Sequence, residues 1–269
     1  MEFGICLQCV IPARAEPSHS SEMVTQILFG ELLRILSFEN EWANVEMAYD
    51  DYQGWIPVNQ LQFLTEKEFL QILNSGSAIT SEIVQLVSNQ TRQTIFPIIT
   101  GSSLPGYVNG EFKILEEKYF FDGEVKTDSL FESLKTRTDL LRAKQEIVTD
   151  AMLYLNAPYL WGGRTPFGID CSGFTQIVFK KNKVRLLRDA DQQAQQGETL
   201  SFLSETEPGD LAFFDNPDGK IIHVGILINP TRIIHASGKV RIDSVDHQGI
   251  FNSDEQAYTH NLRVIKRMV

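Results

Sequence analysis

Six residues, Ile169-Asp170-Cys171-Ser172-Gly173-Phe174, constrain this chain more than any other stretch. They put a cysteine where a glycine-loosened loop, Tyr159-Leu160-Trp161-Gly162-Gly163, gives way to a run of helical character. Phe174, Ile177 and Val178 recur at helical spacing and predict one apolar face of a short helix. Asp170 is placed to cap its first turn. Cys171 then lies at the positive end of the helix dipole, which favours thiolate over thiol. The competing reading is a small core residue, because free cysteine is among the most buried residue types.

A nucleophilic thiolate needs a proton acceptor, and the acceptor needs orienting. The five histidines are His19, His223, His235, His247 and His260. Two of them fall in one strand pair: Ile221 to Ile228 is a β-rich run, Asn229-Pro230-Thr231 a turn signal, and Ile233-Ile234-His235-Ala236 the return strand. With those three residues as the loop, Ile228 faces Arg232 and Gly225 faces His235. His223 then lies two residues along on the same face. Gly225 opposite His235 leaves space for two imidazoles, His223 as general base and His235 as the residue that orients it. Either histidine alone reads as a satisfied polar residue on a half-exposed hairpin. Both on one face, beside a capped cysteine, read as catalysis.

Asp170-Cys171-Ser172-Gly173-Phe174, Pro208-Gly209-Asp210-Leu211, His223-Val224-Gly225-Ile226 and Ile234-His235-Ala236-Ser237 resemble, in order and spacing, the motifs of the NlpC-type cysteine peptidases of bacterial cell-wall peptides. The resemblance runs from about Thr138 to the C-terminus. What precedes it, together with the Tyr159 to Gly163 stretch, resembles a subgroup with two bacterial Src-homology-3-like barrels ahead of the catalytic domain. The resemblance implies an α+β chain: barrels over 1–65 and 77–127, then over 138–269 a papain-like domain whose cysteine helix packs on an antiparallel sheet. Members of the subgroup cut the γ-D-glutamyl–diamino acid bond of murein peptides with a free N-terminal L-alanine.

Further site residues divide by their source. From the residues themselves, Tyr159 is placed to hydrogen-bond near the thiolate and Trp161 to form a cleft wall, against a reading of both as loop packing. From the resemblance, Asp170 and Ser172 bind the substrate's amino end, and Asp189 of Leu187-Arg188-Asp189-Ala190 lines the cleft. Some relatives carry a hydroxyl residue where this chain has Ala190. The subgroup also places an acidic residue near Ser21-Glu22-Met23-Val24 on the substrate amine, and a barrel tyrosine over the cleft. These carry over to Glu22 and Tyr52. An acid there is sound chemistry, since a buried ammonium needs a charged hydrogen-bonding partner. The alternative for Glu22 is the start of an exposed helical turn leading into Val24 to Leu28.

Composition narrows the function classes. A net charge of −11 disfavours nucleic acid and adhesion to anionic polymers or membranes. Small soluble fragments need no basic binding surface. The odd count of three cysteines suits a free nucleophile in a reducing compartment. Cys6-Leu7-Gln8-Cys9 lacks the second pair that a zinc site needs, and in a strand its thiols point to opposite faces. No stretch is long enough for a transmembrane helix. Ala13-Arg14-Ala15 imitates a signal cleavage site, but acidic Glu2 and the interrupting Gln8 favour the first strand of a barrel. The expected location is therefore cytoplasmic, or periplasmic or secreted if a leader has been removed.

Strand candidates in the first barrel are Gly4 to Ile11, Leu33 to Glu39, Trp42 to Met47 and Tyr52 to Pro57. Residues 66–76 read as a linker, and Glu82 to Val87, Thr94 to Pro97 and Phe112 to Leu115 as strands of the second barrel. Leu130 to Leu155 reads as a helix in which Lys144 joins the apolar face through its methylene stem. His247 and His260 have no partner pattern and receive no role.

The expected reaction is acyl transfer to water through Cys171 with His223 as acid and base, needing no metal or cofactor. A histidine as third member orients without adding negative charge. The expected partner is a small murein peptide, with no nucleic acid, membrane or obligate protein partner. Two rivals stand: an amidase or acyltransferase on the same fold, and a wall-binding protein with a relic catalytic domain.

Overall fold

A computed structural model describes residues 2–129, 131 and 134–269, which divide into two compact units, Met1–Asp128 and Ser129–Val269. In the first unit, seven antiparallel strands are β1 (Glu2–Ile5), β2 (Val10–Arg14), β3 (Met23–Leu28), β4 (Leu32–Glu39), β5 (Trp42–Met47), β6 (Gln53–Pro57) and β7 (Gln62–Leu64). They lie in the order β3-β2-β6-β5-β4-β1-β7. Alternation drives them: in β5, Ala43, Val45 and Met47 are buried while Asn44 and Glu46 on the other face are not. The expected strand from Gly4 to Ile11 is broken in two. Cys6 lies in the break, buried, with its thiol donating to the Gln8 carbonyl at 3.2 Å, and Cys9 is half-buried in the bend. The segment after Glu22 is strand β3 and not a helical turn.

The expected linker is helix α1 (Glu66–Asn74), started by a capping box in which Thr65 and Glu68 exchange side-chain and backbone hydrogen bonds. Its Phe69 and Ile72 are buried in a core shared with Phe3 and Phe29 of the first half and Phe112 and Tyr119 of the second. A linker needs no such anchors, so the short amphipathic run is a structural element of the unit. The second half has β8 (Ser77–Thr80), β9 (Val84–Asn89), β10 (Thr94–Ile99), β11 (Ser103–Pro105), β12 (Glu111–Ile114), β13 (Glu117–Phe120) and β14 (Val125–Lys126), in a three-stranded and a four-stranded sheet.

The second unit opens with α2 (Arg137–Met152), capped by Thr136 and Asp139. The expected helix is thus shorter at both ends, and Leu130, Glu132 and Ser133 of that expectation lie outside the described residues. Lys144 joins the buried face of α2, and its ammonium is enclosed with it. It is 1% exposed, and its ammonium donates to Glu207 at 2.9 Å and lies 3.6 Å from Asp210. A short hairpin, β15 (Arg164–Thr165) and β16 (Gly168–Ile169), leads into α3 (Cys171–Lys181) and then α4 (Ala190–Gln193). The remaining strands are β17 (Glu198–Leu200), β18 (Leu211–Asp215), β19 (Ile221–Asn229), β20 (Arg232–Ser237), β21 (Lys239–Val245), β22 (Gly249–Asn252) and β23 (Ala257–Arg267).

These strands run β17-β23-β18-β19-β20-β21-β22, all antiparallel, and β22 pairs back with β23 so that β18 to β23 form a closed ring. Helix α3 packs against β19 and β20, with α2 beside it. Every residue of α3 is buried, because sheet and neighbouring helix cover more than its one predicted face. Asp210 of the Pro208-Gly209-Asp210 turn is 1% exposed and takes two hydrogen bonds from Arg267, at 3.1 and 2.7 Å, so the motif ties α2, β18 and β23 together. Among the described residues no helix is long and apolar enough to cross a membrane.

Candidate active site

The cysteine is built from its helix. Asp170 caps α3 by accepting from the Gly173 N–H at 2.6 Å, which places Cys171 as the first helical residue, 7% exposed. The Val224 backbone N–H donates to its sulfur, so the thiol lies beside the residue that follows His223 on β19. The dipole at a helix N-terminus is worth ~0.3–1 kcal/mol, up to ~2 where partly buried. Burial, and after it the neighbouring Asp170 carboxylate, push the thiol from its ordinary 9.0 up to about 12. That rise is worth ~4 kcal/mol against the thiolate, so desolvation outweighs the dipole. The resting thiol keeps its proton and gives it up only as it reacts.

The two histidines meet as their register dictates. Gly225 pairs with His235. The turn itself differs from expectation: Asn229, not Ile228, faces Arg232, and a bulge between Leu227 and Asn229 absorbs the extra residue, so the register at Gly225 is kept. A Cβ on Gly225 would sit 2.8 Å from the His235 Cβ, so only glycine admits this approach. His223 Nε2 and His235 Nδ1 are 2.8 Å apart. Both side chains are buried, His223 5% and His235 1% exposed. Burial, with the neighbouring His235 and His260, drives the His223 pKa well below its ordinary 6.5 and keeps the imidazole neutral. A neutral imidazole is the form that can accept a thiol proton.

The pair continues into residues outside the motifs. His235 Nε2 lies 3.0 Å from Asp243 Oδ2, and Arg241 holds that carboxylate with Nε at 2.7 Å and a terminal nitrogen at 2.9 Å. Arg241 is the cross-strand partner of His235, and Asp243 is two residues along the same face of β21. Hydrogen bonds from His235 and Arg241 overcome burial and keep the Asp243 carboxyl below its ordinary range. His260 from β23 lies against His223, ring centres 4.1 Å apart and planes 30° from parallel. Burial, and after it the neighbouring His235, hold His260 near 4, so it is an uncharged plate. The signal that finds Asp243 is the alternation of Arg241 and Asp243 past the hairpin. For His260 there is none, because ring closure through β23 brings it in.

Of the other expected site residues, Tyr159, Trp161, Asp170, Ser172 and Asp189 belong to this unit. Tyr159 is half-buried, and the nearby Cys171 and Asp170 add to burial in raising its hydroxyl pKa. Its backbone N–H donates to Gly238 at 3.0 Å. Trp161 is 61% exposed. Asp170 accepts from Gly162 and Gly173 N–H, from the Ser172 hydroxyl, and twice from the Arg188 guanidinium at 3.1 and 2.6 Å. Five donors exceed the roughly four lone-pair sites of a carboxylate. In this structure Asp170 serves as the cap of α3 and the partner of the guanidinium. Arg188 also donates to the Ser172 hydroxyl at 3.0 Å, so Arg188 organises this corner from the position before Asp189. Asp189 is half-buried and starts α4. Glu22 and Tyr52 belong to the first unit. Glu22 is exposed, and Tyr52 is half-buried against the core of the first sheet. Among the described residues no group of three or more His, Cys, Asp or Glu side chains is set to hold a metal ion.

Residues 156–258 match the NlpC/P60 family, and residues 13–61 match the bacterial dipeptidyl-peptidase Sh3 domain. The gamma-D-glutamyl-L-lysine dipeptidyl-peptidase of Bacillus subtilis (strain 168) is 30% identical over 224 residues, covering 79% of this chain and 71% of the relative. Dipeptidyl-peptidase 6 of Lysinibacillus sphaericus is 26% identical, covering 87% and 88%. The crystal structure of an NlpC/P60 family protein from Bacillus cereus ATCC 10987 superposes with a TM-score of 0.80 over 99% of both chains at 17% identity, a likeness of fold. With an N-terminal SH3-like domain ahead of an NlpC/P60 fold, the chain belongs to the NlpC/P60 family and is a cysteine peptidase.

Proposed function

We propose that this peptidase hydrolyses the γ-D-glutamyl–L-diamino acid bond of murein peptides that carry a free N-terminal L-alanine, releasing the dipeptide. The observation that carries the reading is the run Cys171, His223, His235, with the sulfur beside Val224 and the imidazoles 2.8 Å apart. The substrate class rests on the relatives named gamma-D-glutamyl-L-lysine dipeptidyl-peptidase and dipeptidyl-peptidase 6.

In the proposed reaction the S–H bond of Cys171 breaks as sulfur attacks the γ-glutamyl carbonyl carbon, and the proton moves to His223. The backbone N–H of Cys171, at the start of α3, stabilises the oxyanion. The tetrahedral intermediate collapses to a thioester, the C–N bond breaks, and the same proton goes to the departing amine. Water, deprotonated by His223, then clears the thioester and restores the thiol. His235 orients His223 throughout.

Tyr159, Trp161, Ser172 and Asp189 are assigned to substrate binding, Asp170 acting through Ser172 and the helix start. Glu22 is assigned to the substrate amine and Tyr52 to the cleft. Residues 77–127 are proposed as a second SH3-like barrel, and the role as cytoplasmic recycling of wall peptides. The test is mass spectrometry of products from L-Ala-γ-D-Glu-diaminopimelate and its N-acetylated form, with wild type beside Cys171→Ala. Cleavage of the free-amine peptide alone, by wild type alone, is expected. Equal cleavage of both overturns the amine pocket, and cleavage of neither overturns the substrate class.

A further inference from the structure

We propose that Asp243 is a positioning residue for the peptidase reaction, fixing the tautomers of two successive imidazoles so that His223 keeps its Nδ1 lone pair for the thiol proton. The inference rests on the proposed roles of Cys171 and His223. An ionised carboxylate only accepts. Asp243 is held ionised between Arg241, which donates from a terminal nitrogen at 2.9 Å and brings its charged Nε to 2.7 Å, and His235 Nε2 at 3.0 Å. His235 must therefore carry its proton on Nε2. The neutral ring then has its lone pair on Nδ1, which faces His223 Nε2 at 2.8 Å and accepts from it. His223 is thus protonated on Nε2, and the nitrogen left over for Cys171 is an unprotonated Nδ1. Reversing both tautomers would set the His235 Nε2 lone pair against a carboxylate oxygen. His235 is 1% and Asp243 5% exposed, so water cannot relieve that repulsion.

The relay also answers a shortfall of a histidine as third member. When the thiol proton reaches Nδ1, His223 is an imidazolium, and the negative charge that matches it lies one ring further on, at Asp243. The other titratable groups facing these rings are His260, centred 4.1 Å from His223 and 5.8 Å from His235, and Asp254, bonded to Arg241 at 3.0 Å. Among the described residues His260 is hydrogen-bonded to Thr259 and Asp254 to Arg241, and neither is hydrogen-bonded to a nitrogen of the relay.

The experiment measures Cys171 alkylation by iodoacetamide at pH 7, and kcat and KM on the peptide, for wild type, Asp243→Asn, His235→Asn and the double variant. Asp243→Asn is expected to slow alkylation and kcat by ~10–100-fold, less than the ~10⁴ for a carboxylate that touches the catalytic histidine directly, with KM within ~3-fold. In the His235→Asn background the relay is already cut, so Asp243→Asn should change either rate by less than ~2-fold. Equal losses in both backgrounds would mean general structural support and overturn the relay, as would wild-type rates in Asp243→Asn. Alkylation needs no peptide, so a wrong substrate assignment leaves this test standing. Wild-type alkylation unchanged by His223→Ala overturns both the pair and the relay. If Asp243→Asn does not fold, nitrogen-15 NMR of histidine-labelled wild type reads the same point: both His223 and His235 should be Nε2–H tautomers, and an Nδ1–H on either overturns the proposal.

Discussion

Gly225→Ala should damage activity through a single contact. The added methyl would lie 2.8 Å from the His235 Cβ and 2.7 Å from the Ile233 Cδ1. Ordinary carbon contact begins near ~3.5 Å, so His235 must retreat by ~0.7 Å. Its Cβ is rooted in β20 and cannot swing aside as a flexible chain end can. The 2.8 Å His223–His235 hydrogen bond then opens to ~3.5 Å, beyond useful range. A misplacement approaching ~1 Å costs on the order of 10² in rate, while overpacking costs ~1–3 kcal/mol, or a fall of ~2–12 °C in melting temperature. Initial rates of peptide cleavage and calorimetry measure the two separately. Adding Ile233→Val removes the Cδ1 contact and should restore part of the melting temperature but little of kcat. A kcat within ~3-fold of wild type in Gly225→Ala would refute the claim that this register positions His235.

Arg188→Met removes the donors to both Asp170 oxygens and to Ser172 from a pair 1% and 8% exposed, and should cost ~3–5 kcal/mol in urea unfolding. His260→Ala strips the plate from the face of His223 and should lower kcat by ~3–10-fold at constant KM, with His260→Phe recovering most of it by refilling the face. The folded His260 is held near 4 against 6.5, so between those values the unfolded chain takes up a proton the folded one refuses. Stability should therefore fall as pH drops from ~6.5 to ~4, a slope that His260→Phe makes shallower in urea titrations at pH 7 and 5. With His223 depressed well below 6.5 and Cys171 raised to about 12, kcat/KM should stay level as pH falls through 6.5, decline only below it, and show no thiol limb between pH 7 and 10.

The sequence by itself determined the cysteine helix and its Asp170 cap, the Gly225–His235 register, and the family these motifs belong to. Each is written in residues close along the chain: an N-cap acts within three residues, and a hairpin register follows from its own turn and alternation. Only the tertiary structure decided what acts across elements. His260 reaches His223 because the strands close into a ring through β23. Lys144 is paired and not solvated, because Glu207 and Asp210 come back to it from beyond α3. The run at 66–74 is a core helix, because Phe69 and Ile72 find aromatic partners far along the chain. The protonation of Cys171 was decided the same way. The chain shows a helix start that favours the thiolate, but the burial that outweighs it exists only once the sheet has packed against α3.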